Sequence, residues 1–460
     1  MMRTFRLSHL IATLGVLCGL VVWFLPPPAG ANPQLMHVAG VVIVAVSLWA
    51  TSAVPEYFTA IIFFFLAMVF TQMGAPIVFS GFHSAAVWMI FGGLVLGAAV
   101  QETGFGKRLA GALLRIFPRS YFGILCGCTL VGAVLCLIIP SNTGRIVIMI
   151  PIFLALCDRI GFGPGSPGRA GIVLAAGAGS VYPSFAILPA AVPNLGWLGA
   201  VESIHKLKIT YGDYLIYNFP VMGTVAILAL PFIIYRLFPD EAGEGAEIER
   251  TEGSAAQTRL IIVLVAALGL WLSDFAHGIS PAWIALGASV LCLMPRTGVV
   301  ATNIIVGKVS YAPWFFVAGV VGMGAVVAKA GLGTYLSAFL FDIVPLHPDE
   351  DLLNFFKVGA VGMAMGLATT VPGQPAIMTT LAADIAATTG WPLKSVLMTQ
   401  PISWSMAPFA YELPPLILAA NMGGVSMRRL ARLLLAMAAL TWVAMMPLQY
   451  LWWQALGYFG

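Results

Sequence analysis

Apolar segments of bilayer length recur from one end of this 460-residue chain to the other, and almost no charge interrupts them. A helix needs roughly 17–25 apolar residues to cross the hydrocarbon core. Runs of that kind lie near 7–25, 35–54, 58–73, 83–106, 214–237, 258–274, 280–296, 311–332 and 430–453. Charged residues make up 9% of the chain against 60% hydrophobic, which is too little to coat a soluble domain of this length. The solvent must therefore be lipid, and the expected fold class is an all-α polytopic membrane protein. No basic stripe interleaved with aromatics accompanies the small net charge of +4, so nucleic acid is not expected as a partner. The six cysteines, Cys18, Cys126, Cys128, Cys136, Cys157 and Cys292, lie in apolar stretches without metal or redox spacing and read as small buried hydrophobes.

Some segments are interrupted. A pair of short runs, 121–139 and 144–159, flanks Pro140-Ser141-Asn142-Thr143, and a second broken pair occupies about 351–389. The runs 170–197 and 394–421 are broken by prolines, among them Pro183, Pro189 and Pro193 in the first. A hydrophilic linker, 238–257, carries Asp240, Glu241, Glu244, Glu247, Glu249, Arg250 and Glu252, and divides an N-terminal half, 1–237, from a C-terminal half, 258–460. Lys and Arg mark the cytoplasmic side. With Arg3 and Arg6 inside, Lys107, Arg108, Arg115, Arg119, Arg236, Arg259, Arg296, Arg428, Arg429 and Arg432 also fall inside. The acidic segment 333–351, with Asp342, Asp349, Glu350 and Asp351, then lies outside. This assignment requires both broken pairs to return to the face they entered from. They read as two opposed re-entrant hairpins, an inner one at about 121–159 and an outer one at about 351–389, beside about eleven transmembrane helices. The N-terminus is expected in the cytoplasm and the C-terminus outside, in a bacterial-type inner membrane. Ala29-Gly30-Ala31 resembles a signal-peptidase site, but the run before it is long for a signal peptide and reads as a retained first span. Trp442, Trp452 and Trp453 read as interfacial anchors.

Two windows recur about 225–227 residues apart. Glu102-Thr103-Gly104-Phe105-Gly106 answers Lys329-Ala330-Gly331-Leu332-Gly333. Ser180-x-x-Pro183 with Leu188-Pro189 answers Ser405-x-x-Pro408 with Leu413-Pro414, and Asn194 and Asn421 close the two segments. Windows of this kind that start on opposite faces imply two inverted repeats. Irregular backbone at membrane depth is tolerated only where protein buries it or it lines a watery cavity. The four breaks are therefore expected to converge, offering carbonyls to a cation and helix N-termini to an anion. Ser141-Asn142-Thr143 suits a hairpin tip, because its hydroxyls and amide can coordinate an ion or a carboxylate without a buried formal charge.

Pro140-Ser141-Asn142-Thr143, with Pro151 ten residues after Ser141, resembles the Ser-Asn-Thr hairpin tip of the divalent anion/sodium symporters. Trp88 to Arg108 is similar to that family's long fourth span, Pro193-Asn194 to the end of its first helix break, and Leu413-Pro414 to part of the second. The resemblance runs in order along the whole chain. It implies an eleven-span, usually dimeric fold that moves di- or tricarboxylates by an elevator motion, commonly driven by sodium. It places substrate contacts on Ser141, Asn142, Thr143, Pro193 and Asn194, and a sodium site on Ser141 and Asn142. No other cofactor is implied. The alternative is a proton-coupled or sodium-independent carrier of another oxyanion, such as a sulfonate or sulfate. A membrane enzyme is not expected, since neither His-x-x-x-His nor paired acidic motifs occur.

The second tip departs from the pattern. It reads Ala368-Thr369-Thr370-Val371-Pro372-Gly373-Gln374-Pro375, with the hydroxyls of Thr369 and Thr370 as candidate contacts and no asparagine. Two charges also stand where the family is usually neutral. An ionised group at membrane depth costs roughly 2.5–3.5 kcal/mol on insertion scales and implies a role by default. Arg145 either grips a substrate carboxylate or substitutes for a bound sodium. Glu412 pairs with Arg145, takes up a proton or ligates a cation. The plain reading of both is packing beside water-filled vestibules. Asp158 and Arg159 read as a solvated hairpin end, and Asp384 as a cap or a solvent-facing group.

Overall fold

Serine caps and glycine stops set several helix boundaries in this chain. Ser84, Ser120, Ser141 and Ser166 each accept a bond from a first-turn amide of the helix that follows, satisfying donors the helix cannot. Ser254 and Gln257 form a full capping box. The computed structural model describes residues 2–51, 53–114, 116, 120–139, 141–241, 253–295 and 298–459. The linker charges Glu244, Glu247, Glu249, Arg250 and Glu252 lie outside these, as do Pro140, Arg115, Arg119 and Arg296, and the side chains of Arg3 and Arg6 are likewise outside the description.

The described chain is all helical. The first half runs α1 Met2–Trp23, α2 Leu35–Thr51, α3 Glu56–Phe70, α4 Ala85–Thr103, α5 Phe105–Leu114, α6 Tyr121–Cys136, α7 Asn142–Arg159, α8 Pro167–Val181, α9 Val192–Ala200 and α10 Tyr211–Leu237. The second half runs α11 Ala255–Leu272, α12 Pro281–Leu293, α13 Ala312–Ala330, α14 Leu332–Ile343, α15 Asp351–Thr369, α16 Gln374–Thr389, α17 Leu393–Met398, α18 Gln400–Trp404, α19 Pro414–Gly423 and α20 Met427–Ala455. Six of them, α4, α10, α11, α13, α15 and α20, are long and apolar enough to cross a membrane among the described residues. Shorter apolar helices include α2, α3, α6, α12 and α14.

The elements expected to be broken are broken. The turn between α6 and α7 falls at the Ser-Asn-Thr run, and that between α15 and α16 at Thr370–Gly373. Between α8 and α9 the chain passes through two short 3-10 turns, Pro183–Ala186 and Leu188–Ala190, where prolines withhold amide hydrogens. Between α18 and α19 it passes through one, Ala410–Glu412.

The acidic segment 333–351 opens with the helix α14. Leu332, Leu336, Phe339, Leu340 and Ile343 recur at three- and four-residue spacing, an apolar stripe that outweighs the lone Asp342. The same event occurs at α5. In both places a glycine in the left-handed region, Gly104 at φ 68° and Gly331 at φ 76°, ends one helix and admits the next.

The centre of the molecule is α8 with the segment that follows it, buried almost throughout from Ala170 to Ala200. Small residues let α6 lie directly on α8. A Cβ added to Gly132 would come within 2.6 Å of the Gly179 carbonyl carbon, and one added to Gly179 within 2.7 Å of Thr129 Cα. Backbones approach this closely only where side chains are absent. The contact fixes Ser180 beside the tip of the first hairpin.

Candidate functional site

A cavity of about 200 Å³ opens where the breaks meet. Ser141, Asn142 and Thr143 bring to it the first turn of α7, and Val192 and Pro193 the first turn of α9. Pro414 and Pro415 bring the first turn of α19. From the facing helices come Glu56 and Tyr57, which begin α3, and Ala312 and Pro313, which begin α13. Five helix N-termini thus border one small space. Among the described residues no lysine or arginine lines it. Oriented peptide dipoles turn their positive ends toward it, an arrangement that favours anions, while the carboxylates of Glu56 and Glu412 also line it. Prolines occupy the first turns of α9, α13 and α19 and remove amide hydrogens there. The donors at α7 are intact, with Ser141 Oγ accepting from Gly144 N at 3.2 Å.

Five of the expected site residues line this cavity: Ser141, Asn142, Thr143, Pro193 and Glu412. Arg145, Asn194, Thr369 and Thr370 do not. Arg145 lies behind the tip with no solvent exposure. Its Nε donates to Ser180 Oγ at 2.8 Å, and its Nη2 to Ser180 O at 2.9 Å and to Asn142 Oδ1. Its Nη1 donates to Ala190 O at 3.1 Å and to Ile139 O. Asn194 is a strap: its Nδ2 donates to Ser184 O and Ile187 O, both at 2.8 Å, holding the break between α8 and α9 in shape. Thr369 Oγ1 is turned back to Met365 O at 2.7 Å and Thr370 O at 3.1 Å. The second tip meets the cavity instead through Val371 and Pro372.

Glu412 is 1% exposed, and its side chain accepts one hydrogen bond among the described residues, from Phe409 N at 3.1 Å. The expected pairing with Arg145 is absent from the described ion pairs. All five guanidinium donors are already engaged elsewhere. The sequence reading also missed Glu56, which lines the same cavity. Its signal was present as a lone carboxylate after Pro55 at the start of an apolar run. Two other acidic residues left open above have partners. Asp158 pairs with Arg169, and Asp384 accepts from Ser337 Oγ at 2.5 Å, tying α16 to α14.

The model of the sodium:sulfate symporter transmembrane region matches residues 6–459. The chain belongs to this family. It is therefore a membrane transporter, not an enzyme, and the resemblance carried by the Ser-Asn-Thr tip holds across the whole sequence. Among family relatives, the putative malate transporter YflS of Bacillus subtilis is 24% identical over 303 residues, 63% of this chain and 63% of that protein. The chain thus spans less than two thirds of that relative's length. The L-tartrate/succinate antiporter of Escherichia coli K12 is 24% identical over 344 residues, 71% of this chain and 67% of its own length. In three dimensions the chain is similar to the YdaH transporter of Alcanivorax borkumensis, with a TM-score of 0.53 at 15% identity over 99% of both chains, which is a likeness of fold.

Proposed function

We propose that this protein is a secondary active carrier of small organic dianions, dicarboxylates first among them. The observation that carries the reading is the ring of five helix N-termini around a small cavity that no lysine or arginine lines among the described residues. About 200 Å³ is below the roughly 300–1,000 Å³ of drug-sized sites, which suits a solute of few heavy atoms. The named substrates of the relatives, malate, tartrate and succinate, support the same class.

In this reading Ser141, Asn142 and Thr143 meet the anion from α7, and Pro193 shapes the wall opposite. The elements carrying the breaks, α6–α10 and α15–α20, form a moving body. Helices α1–α5 and α11–α14 form the frame it slides past, in an elevator-type cycle. Support comes from the position of the cavity, which lies between the breaks on one side and α3 and α13 on the other. The two halves, 1–237 and 258–460, each give one hairpin and one broken span to that body.

A second reading concerns coupling. Glu412 and Glu56 both line a space suited to an anion, and neither has a cationic partner among the described ion pairs. This favours a proton-coupled or sodium-independent cycle over tight sodium symport. Uptake of labelled succinate, malate and tartrate into proteoliposomes, with sulfate as competitor, tests the substrate class. Imposed sodium and pH gradients separate the coupling modes. Saturable uptake that unlabelled dicarboxylates block and sulfate does not is the expected result. Competition by sulfate alone would overturn it.

A further inference from the structure

Arg145 is unusual for a buried charge because no acid answers it among the described residues. A guanidinium carries five N–H donors and cannot be deprotonated in a protein. All five are engaged, and every acceptor is neutral: the carbonyls of Ile139, Ser180 and Ala190, the Ser180 hydroxyl and the Asn142 amide oxygen. These oxygens come from three pieces of interrupted helix, namely the first tip, the last turn of α8 and the stretch leading into α9. Unwound carbonyls converging near helix breaks are the usual means of holding sodium in carriers of this kind. Here the space they enclose is filled by a side chain. A sodium ion and the guanidinium cannot share those oxygens, so the residues present do not fit a metal cation at this place.

We propose that Arg145 is a resident cation, which supplies permanently the charge that a bound metal ion would otherwise bring to the first pair of breaks. The first half of the site is then cation-loaded in every step of the cycle, and anion binding at α7 does not wait for sodium there. The arrangement also fixes the chemistry presented to substrate. Since a guanidinium only donates, Asn142 must offer Oδ1 to it, which leaves the Asn142 Nδ2 hydrogens for the cavity. The charge acts through Asn142 and the tip backbone without touching the anion, so Arg145 is a positioning residue. The inference deepens the carrier reading above and concerns which ion the carrier needs.

The test uses the purified full chain, wild type and Arg145→Ala, in detergent and in proteoliposomes. Melting temperature and succinate uptake are measured in choline, sodium and guanidinium chlorides at equal ionic strength. A ligand that binds only the folded state raises its melting point. Wild type is expected to show no sodium-specific rise. Arg145→Ala is expected to melt lower in choline, to lose about tenfold or more of its uptake, and to recover on millimolar guanidinium or sodium. Arg145→Lys keeps the charge and is expected to remain indifferent to sodium, and it gives the readout if the alanine variant does not fold. A wild-type sodium-specific rise that persists in Arg145→Lys would overturn the proposal. So would a folded Arg145→Ala that neither ion restores. The melting arm requires no transported substrate, so it stands even if succinate is not carried. Normal succinate uptake with an unaffected alanine variant would sink this inference alone.

Discussion

Glu412 Oε2 and Gln374 Oε1 converge on Gly366. A Cβ built on that glycine would lie 3.2 Å from the first oxygen and 3.5 Å from the second. Gln374 is oriented by its own donor, Nε2 to Ser403 Oγ at 2.5 Å, and its Oε1 has no partner among the described residues. Two acceptors from different elements thus face a position of α15 that lacks a side chain. A proton on Glu412 would replace one of these acceptors with a donor. Tyr182 Oη is buried without a partner among the described residues, Tyr411 Oη donates to Leu367 O at 2.7 Å, and Glu56 lines the same cavity as Glu412.

Glu412→Gln therefore tests proton coupling. An ionised Glu412 faces the incoming anion and opposes it, whereas the protonated acid does not. Two like charges near 4 Å repel by about 1–4 kcal/mol at effective dielectrics of 80 to 20, enough for about a fivefold effect or more. Wild-type uptake is expected to rise as pH falls. Glu412→Gln should keep uptake and lose most of that dependence. A variant with the wild-type pH profile would show that the proton sits elsewhere.

Asn142 separates positioning from packing. Asn142→Asp keeps the volume, but it replaces the Nδ2 donor facing the cavity with an oxygen and adds a negative charge beside Arg145. A paired, buried aspartate should leave melting little changed or raise it. Uptake should fall by about a hundredfold, the sum of a lost charge-assisted donor and a new repulsion. Parallel melting and initial-rate measurements check this. Loss of stability in step with loss of transport would mean that the residue only holds the tip together.

Thr370 is strained. Its φ of 135° and ψ of 159° lie in a region that only glycine populates freely, and it carries a branched side chain at the second tip. Such placements cost about 1–3 kcal/mol. Thr370→Gly should raise the melting temperature by relieving this, and Thr370→Val should not. If the glycine variant is more stable but slower in transport, the strain serves the cycle. Equal rates would make it incidental.

The helices were legible because lipid leaves only one solution for long apolar runs, and serines, glycines and prolines marked their ends. Ser141, Asn142, Thr143, Pro193 and Glu412 were legible too, since polar residues and prolines at membrane depth have few uses. The fate of Arg145 was not. Whether a guanidinium grips a substrate or fills a cage depends on carbonyls of Ile139, Ser180 and Ala190, and backbone carbonyls leave no trace in residue identity. Glu56 escaped because it opens α3, a helix outside the repeat windows that directed attention to the breaks.

The α6–α8 contact gives a prediction that links packing to the site. Gly132→Ala places a methyl 2.6 Å from both the Gly179 carbonyl carbon and Ser180 N. These are backbone atoms and cannot rotate away, so α8 must shift. Overpacking of this kind costs about 1–3 kcal/mol. The displacement also falls on Ser180, which supplies two of the five acceptors around Arg145. Gly132→Ala should therefore lower both the melting temperature and the uptake rate, with uptake affected more than stability alone explains. Gly287→Ala is the matched control, since nothing lies within 4 Å of its added Cβ and the change removes a flexible residue from α12. It should leave uptake unchanged and stabilise by about 0.5–1 kcal/mol. If Gly132→Ala lowers melting while uptake by the folded fraction stays normal, the α6–α8 contact supports the fold without setting the geometry of the cage.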